Sequence, residues 1–127
     1  MYKKMDSLKL TKEIITTYYD QISQKGDWQS IISDDITFTS VGKITYTKKA
    51  YIEATSRFLE LVKSLHINEF IVEGNKACIT VEYKLLSPKG NTASCEVAEV
   101  LMVENDKINS SCIFFDTDSY RKFIAQG

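Results

Sequence analysis

The chain has little proline, histidine or cysteine: one, one and three residues in 127. With so few chain breakers, 43% apolar and 26% charged residues place it with compact globular chains and far from disordered ones. The charge is balanced as well, sixteen basic residues against seventeen acidic ones interspersed along the chain. Such a balance creates no general field for phosphate backbones or anionic lipid, which argues against nucleic-acid and membrane partners. No stretch approaches the ~20 apolar residues of a membrane span, and Met1 to Leu10 lacks the apolar segment of a signal peptide. A cytoplasmic protein is expected.

The cysteines, Cys78, Cys95 and Cys112, form an odd set, each inside an apolar strand-like run where a free thiol packs as a small hydrophobe. A zinc site would need all three to converge with His66, although no two share a ligand-type spacing. No Gly-rich phosphate loop occurs either, so neither a metal nor an organic cofactor is expected.

What is present is periodicity. Leu10, Ile14, Tyr18 and Ile22 recur every four positions with Ile15 and Tyr19 beside them, which predicts an amphipathic helix capped by Thr11 and ended at Gly26. Asp27 then caps a short turn through Trp28, Ile31 and Ile32, and Ile36 to Ser40 reads as a strand. Thr47 caps a second, longer helix with Tyr51, Thr55, Phe58, Val62 and Leu65 on one face, expected to end near Ser64. Beyond it the period becomes two, with turns at Gly74-Asn75, Pro88 to Asn91 and Asn105-Asp106. Four strands follow as an antiparallel meander: His66 to Glu73, Ala77 to Ser87, Thr92 to Glu104 and Ile108 to Phe115. A closing helix from Ser119 to Ala125 completes one domain over residues 1–127. Helices at the front and a long antiparallel sheet behind make an α+β layer, in which a curved sheet closes over a helix as a cone with an interior.

Tyr19 with Gly26-Asp27-Trp28, the run Ser33-Asp34-Asp35-Ile36-Thr37-Phe38, and the hairpin Leu101 to Ile108 are the pieces in which the chain resembles the NTF2-like superfamily. That superfamily includes ketosteroid isomerase, the SnoaL-type polyketide cyclases, limonene-epoxide hydrolase and scytalone dehydratase. The resemblance implies an NTF2-like, cystatin-like cone with a pocket, and it names no reaction. Set against ketosteroid isomerase, which joins a carboxylate base to an oxyanion hole of a tyrosine and a protonated acid, Tyr19 matches the tyrosine and Glu99 the neutral acid. The base has no counterpart, because Thr39, Ser40 and Val41 stand where the first strand would supply it. Arg57 and Arg121 have no acids placed for an epoxide-hydrolase cluster. A His-Asp pair could draw only on His66.

Glu99 is the most informative residue, since parity along Cys95, Val97, Glu99, Leu101 and Val103 sets a carboxylate in an apolar row. The opposite row, Ser94 to Met102, is half apolar too, which leaves inside and outside open. Tyr18 and Tyr19 are adjacent, so a helix is expected to bury one more than the other. Ile79, Val81, Tyr83 and Leu85 should face the helices, with Tyr83 as the polar tip and Trp28 as a plug at one end. Asp116 reads first as the cap of the closing helix. The expected ligand-binding set is therefore Tyr19, Trp28, Tyr83, Glu99 and Phe115, with Tyr19 and Glu99 as the catalytic candidates.

Two functions stay open on these residues. One is a non-catalytic module that binds a small hydrophobic molecule or dimerises. The other is a cofactor-independent isomerase, cyclase or hydrolase acting on such a molecule. A homodimer is expected through the outer face of the strands from Ala77 to Phe115, where Thr80, Ala98, Val100 and Met102 are too apolar for a fully solvated surface.

Overall fold

A computed structural model describes residues 2–40, 43–45 and 47–126, with side chains from Leu10 onward except that of Thr45. Val41, and the Gly42 and Tyr46 ends of the expected connection, lie outside the described residues. The first helix, α1 (Tyr2–Gln24), starts well before the expected cap. Thr11 is therefore mid-helix, and its hydroxyl donates to the Gly74 carbonyl at 2.9 Å, tying the helix to a strand turn. At the other end the left-handed residue is Lys25 rather than Gly26, with φ 55°. Gly26 N–H reaches Gln21 O at 2.8 Å and Lys25 N–H reaches Ile22 O at 3.1 Å, the paired bonds of a Schellman ending.

A 3-10 turn (Gln29–Ile31) leads into β1 (Ile32–Ser40), followed by β2 (Lys43–Thr45) and α2 (Lys48–Leu59). Thr47 caps α2 by accepting from Ala50 N–H at 3.1 Å. The helix ends five residues short of the expected Ser64, because Val62 to Leu65 join a strand instead. Leu86 N–H bonds Leu61 O at 2.8 Å and Val62 pairs with Leu85. The long strand β4 needed a partner to its end, and β-branched Val62 suits that ladder better than a last helical turn.

The remaining strands are β3 (Val62–Glu73), β4 (Lys76–Leu86), β5 (Thr92–Glu104) and β6 (Lys107–Phe115), then helix α3 (Thr117–Ala125). All six strands form one sheet in the order β2-β1-β6-β5-β4-β3. The meander β3 to β6 is antiparallel as expected, but β1 pairs with β6 in parallel, so the sheet is mixed. The Asn105-Asp106 turn holds both residues at positive φ, 53° and 63°, as a tight two-residue hairpin requires.

Register shifts interrupt β3 twice, between Val62 and Ser64 and between Ile67 and Glu69, and also break the β5–β6 and β1–β6 pairings. Such irregularities bend strands and raise their twist. The sheet curves accordingly around α1, which packs across β3, β4 and β6, while α2 lies against β1. Ile15, Ile22, Ile79, Val81, Leu101 and Ile108 fill the space between them, each at most 3% exposed. The other sheet face has no helix on it among the described residues. No described helix is long and apolar enough to cross a membrane.

Candidate functional site

Strand parity decides what enters the concave side. Along β5 the odd residues Val97, Glu99, Leu101 and Val103 are buried, which settles the open question of which row faces in. Along β4 the matching row is Ala77 to Leu85, ending in Tyr83 and Leu85. On β6, Ser111 is the inward neighbour of Leu101, and Ile113 lies opposite Glu99.

These rows bring one carboxyl into a cluster of hydroxyls. The Tyr19 hydroxyl from α1 donates to Glu99 Oε1, and Ser111 Oγ from β6 donates to Glu99 Oε2 at 2.6 Å. Tyr18 and Tyr51 join their hydroxyls at 2.6 Å on the helix side. Adjacent Tyr18 and Tyr19 are both buried, 3% and 2% exposed, against the expectation that one would be favoured. The reason is that α1 is enclosed from two sides. Tyr19 turns toward the sheet acid and Tyr18 toward Tyr51 and Trp28, its ring edge-on to the indole at 6.4 Å.

Electrostatics follows from burial. Glu99 is 6% exposed, and removal from water pushes its pKa up, while its two hydroxyl donors pull the other way. Burial likewise raises the phenols of Tyr18, Tyr19, Tyr51 and Tyr83, with the Glu99 charge adding to each. At Tyr51 hydrogen bonding, with Tyr18 foremost, counters part of that rise.

Beside this cluster lies a cavity of about 210 Å³. Its wall carries Phe38, Phe58, Ile113 and Phe115 among apolar groups, and Tyr51, Tyr83 and Glu99 among polar ones. Of the five residues expected from sequence to bind a ligand, the structure sets Tyr83, Glu99 and Phe115 on this wall. It does not bring Tyr19 or Trp28 there. Tyr19 lies behind Glu99 and touches the cavity only through that carboxyl, and Trp28 packs edge-on against Tyr18 and Tyr51 in the core. On the wall Phe115 meets Tyr120 of α3, ring centroids 5.6 Å apart.

Asp116 caps α3, accepting from Asp118 and Ser119 N–H at 3.1 Å each; these bonds, those to Ser119 foremost, hold its pKa down. His66 is exposed on β3. Among the described residues no group of three or more His, Cys, Asp or Glu side chains is placed to hold a metal. Sequence reading missed Ser111, Phe38 and Tyr120 on or beside the site. For Ser111 the signal was present, a small polar residue sharing parity with Ile113 and Phe115.

A cone-shaped mixed sheet around an N-terminal helix is matched by solved structures over most of its length. TerC, co-crystallised with polyporic acid, superimposes with a TM-score of 0.76 at 16% identity, covering 91% of this chain and 98% of that one. A SnoaL-like polyketide cyclase from Jannaschia sp. CCS1 gives 0.78 at 10% identity, covering 91% and 92%. An NTF2-like protein of unknown function from Burkholderia pseudomallei K96243 gives 0.75 at 14%, covering 91% and 97%. The chain has the NTF2-like fold. No protein-family model matches its sequence, and no curated protein matches it significantly. At these identities the NTF2-like likeness extends to architecture and leaves the chemistry to this chain's own residues.

Proposed function

We propose that this NTF2-like chain is a small-molecule binding module whose cavity takes a neutral, mostly apolar ring compound carrying an oxygen function. The observation that carries this reading is the composition of the wall: mostly aromatic and aliphatic, with one carboxyl and no lysine, arginine or histidine among the described residues. A ligand anion would lose its hydration there with no cation to replace it. A neutral ligand hydroxyl can instead donate to the Glu99 carboxyl without bringing a second negative charge beside it. The co-crystallisation of TerC with a small organic molecule supports a ligand-taking role for this architecture.

Size supports a small occupant. At about 30 Å³ per water, 210 Å³ corresponds to roughly seven waters, space for one or two rings. Chemistry is less supported than binding, because Thr39 and Ser40, where the first strand would supply a base, have side chains that do not ionise near neutrality. Calorimetric titration with 2-naphthol and 2-naphthoate tests the reading. The neutral naphthol should bind, with the carboxylate about tenfold weaker or worse. Tighter binding of naphthoate would overturn it. Ala54→Trp, at an exposed cavity-lining position on α2, should abolish naphthol binding without unfolding the chain.

The second part of the proposal is that two copies meet through the convex face. Register there aligns Ile71, Cys78, Val100 and Cys112 side by side across four strands, with Phe114 in the next row. Ile71 and Phe114 are each 58% exposed, an unusual state for large apolar groups on adjoining rows. A net charge of −1 leaves no like-charge barrier to self-association. Light scattering at micromolar concentration should return twice the chain mass.

A further inference from the structure

Among the described residues the cavity wall has one acidic side chain and no basic one. Its other polar members are the Cys95 thiol and the hydroxyls of Tyr18, Ser40, Tyr51, Thr55, Tyr83 and Tyr120. Hydroxyls bring dipoles to an acid but no counter-charge, and the lysine ion pairs lie elsewhere, on Asp34, Glu82 and Asp118. Glu99 accepts one hydrogen bond on each oxygen, from Tyr19 and from Ser111. A carboxylate has about four lone-pair sites, so two bonds leave it acceptor capacity. Packing alone does not call for such an acid. A leucine or methionine at position 99 would fill the space without the desolvation that a buried carboxyl incurs.

The second feature is aromatic. Phe58 of α2, Tyr83 of β4, Phe115 of β6 and Tyr120 of α3 all line the cavity, and their rings touch in turn. Centroids lie 4.9 Å apart for Tyr83 and Phe58, 6.0 Å for Phe58 and Tyr120, and 5.6 Å for Tyr120 and Phe115. Rings in contact that share one cavity make a continuous aromatic corner, so a group seated there meets more than one of them. Aromatic rings attract cations, and more strongly away from water. The acid is within electrostatic reach of this corner, since burial and then the Glu99 charge push the Tyr83 phenol up.

We infer that the cavity also accepts a compact organic cation, an alkylated ammonium group seated against the Phe58, Tyr83, Phe115 and Tyr120 rings and facing the Glu99 carboxyl. Such a group spreads its charge over its alkyl substituents and holds water weakly, so an apolar wall costs it less hydration than it costs a primary ammonium such as that of lysine. The inference rests on the binding reading above and widens its ligand class from neutral compounds to cationic ones. The same lack of basic side chains that excludes an anion admits a cation.

Choline and 3,3-dimethylbutan-1-ol share one shape and differ in one central atom, a charged nitrogen against a neutral carbon. In calorimetric titration of wild type in mildly alkaline buffer, choline should bind about fivefold more tightly than the alcohol, the scale of a desolvated cation–π contact. Tyr120→Leu, at a half-buried position on α3, and Glu99→Gln should each lower the ratio of the two affinities toward one. A merely structural role would move both probes together and leave that ratio alone. Alcohol binding as tight as that of choline, or no choline binding beside intact binding of 2-naphthol, would overturn the inference and leave the cavity reading standing. Failure of all three probes would overturn both. A wild-type ratio kept by either folded variant would overturn the inference as well. Thermal unfolding shows which variants fold, and if Glu99→Gln does not, Phe58→Leu takes its place with the same expected fall in the ratio.

Discussion

The hydroxyl of Tyr19 donates to the carboxyl of Glu99 across 80 positions of sequence, joining the N-terminal helix to the fifth strand inside the cone. Both side chains are buried, and the other carboxyl oxygen is taken by Ser111. No cation approaches within salt-bridge distance of this acid among the described residues. Its solvation is therefore made of hydroxyl dipoles, which favour the carboxylate less than water does.

From that environment follows a pH dependence. Burial raises the folded pKa of Glu99 above the unfolded value of about 4.3. A group of this kind contributes fully below the unfolded pKa, and the contribution is lost as pH rises through the folded one. Stability of the wild type should thus decline between mildly acidic pH and that folded pKa. Glu99→Gln cannot ionise and should not show this decline. Urea unfolding across the same pH series in both chains measures the difference, and parallel profiles would contradict a raised pKa at Glu99.

Tyr18 and Tyr51 supply a second test, since they share one hydrogen bond at 2.6 Å. Replacing either with Phe should cost about 1 kcal/mol, the net worth of a bond plus the orphaned hydroxyl left behind. With both hydroxyls removed no orphan remains from that pair, so the double variant should cost less than the two singles added. Denaturant unfolding of the three variants closes the cycle. Strict additivity would mean that the two phenols bond elsewhere.

How much of this was legible before the structure depends on the range of the interaction. The β4 row was readable because period two is a local property, and Tyr83 fell where it put it; along β5 the same period separated two rows but left open which of them, with or without Glu99, faced inward. Asp116 was readable as a cap for the same reason. Range defeated the rest. Helix α2 loses Val62 to Leu65 because β4 competes for them from twenty residues away, and nothing within the helical stripe reports that competition. Tyr19 was expected on the pocket wall and sits behind Glu99, because the carboxyl that comes between is set by the placing of β5, 80 positions along the chain from α1. Parallel pairing of β1 with β6 is likewise a relation between the two ends of the chain.

Gly74 offers a backbone test. It turns between β3 and β4 at φ 61° with no atom within 4 Å of an added Cβ, so a substitution there meets backbone strain and no clash. Gly74→Ala should cost about 1 kcal/mol. Gly74→Asn should cost less, since asparagine tolerates the left-handed region better. Equal losses for the two would point to the Thr11 bond at the Gly74 carbonyl, rather than to φ, as the sensitive feature.

The convex face carries the remaining prediction. Phe114 lies opposite Ala98, and Val100 lies opposite Cys112 and Cys78 in the adjoining row, so these two rows form the centre of an apolar band. A lysine at position 114 would place a charge in the middle of that band. If two copies meet there, each interface would then bury two ammonium groups, because a two-fold axis doubles every change. The carboxylate on those rows, Glu69, lies three strands away from Phe114 at the β3 edge, opposite Thr80. Phe114→Lys should therefore lower the mass seen by light scattering to that of one chain. Being 58% exposed in the single chain, Phe114 contributes little to the core, so the variant should keep its fold and its naphthol affinity. A variant that stays dimeric would move the interface away from the sheet, and one that loses naphthol binding as it dissociates would show that the cavity depends on the second copy.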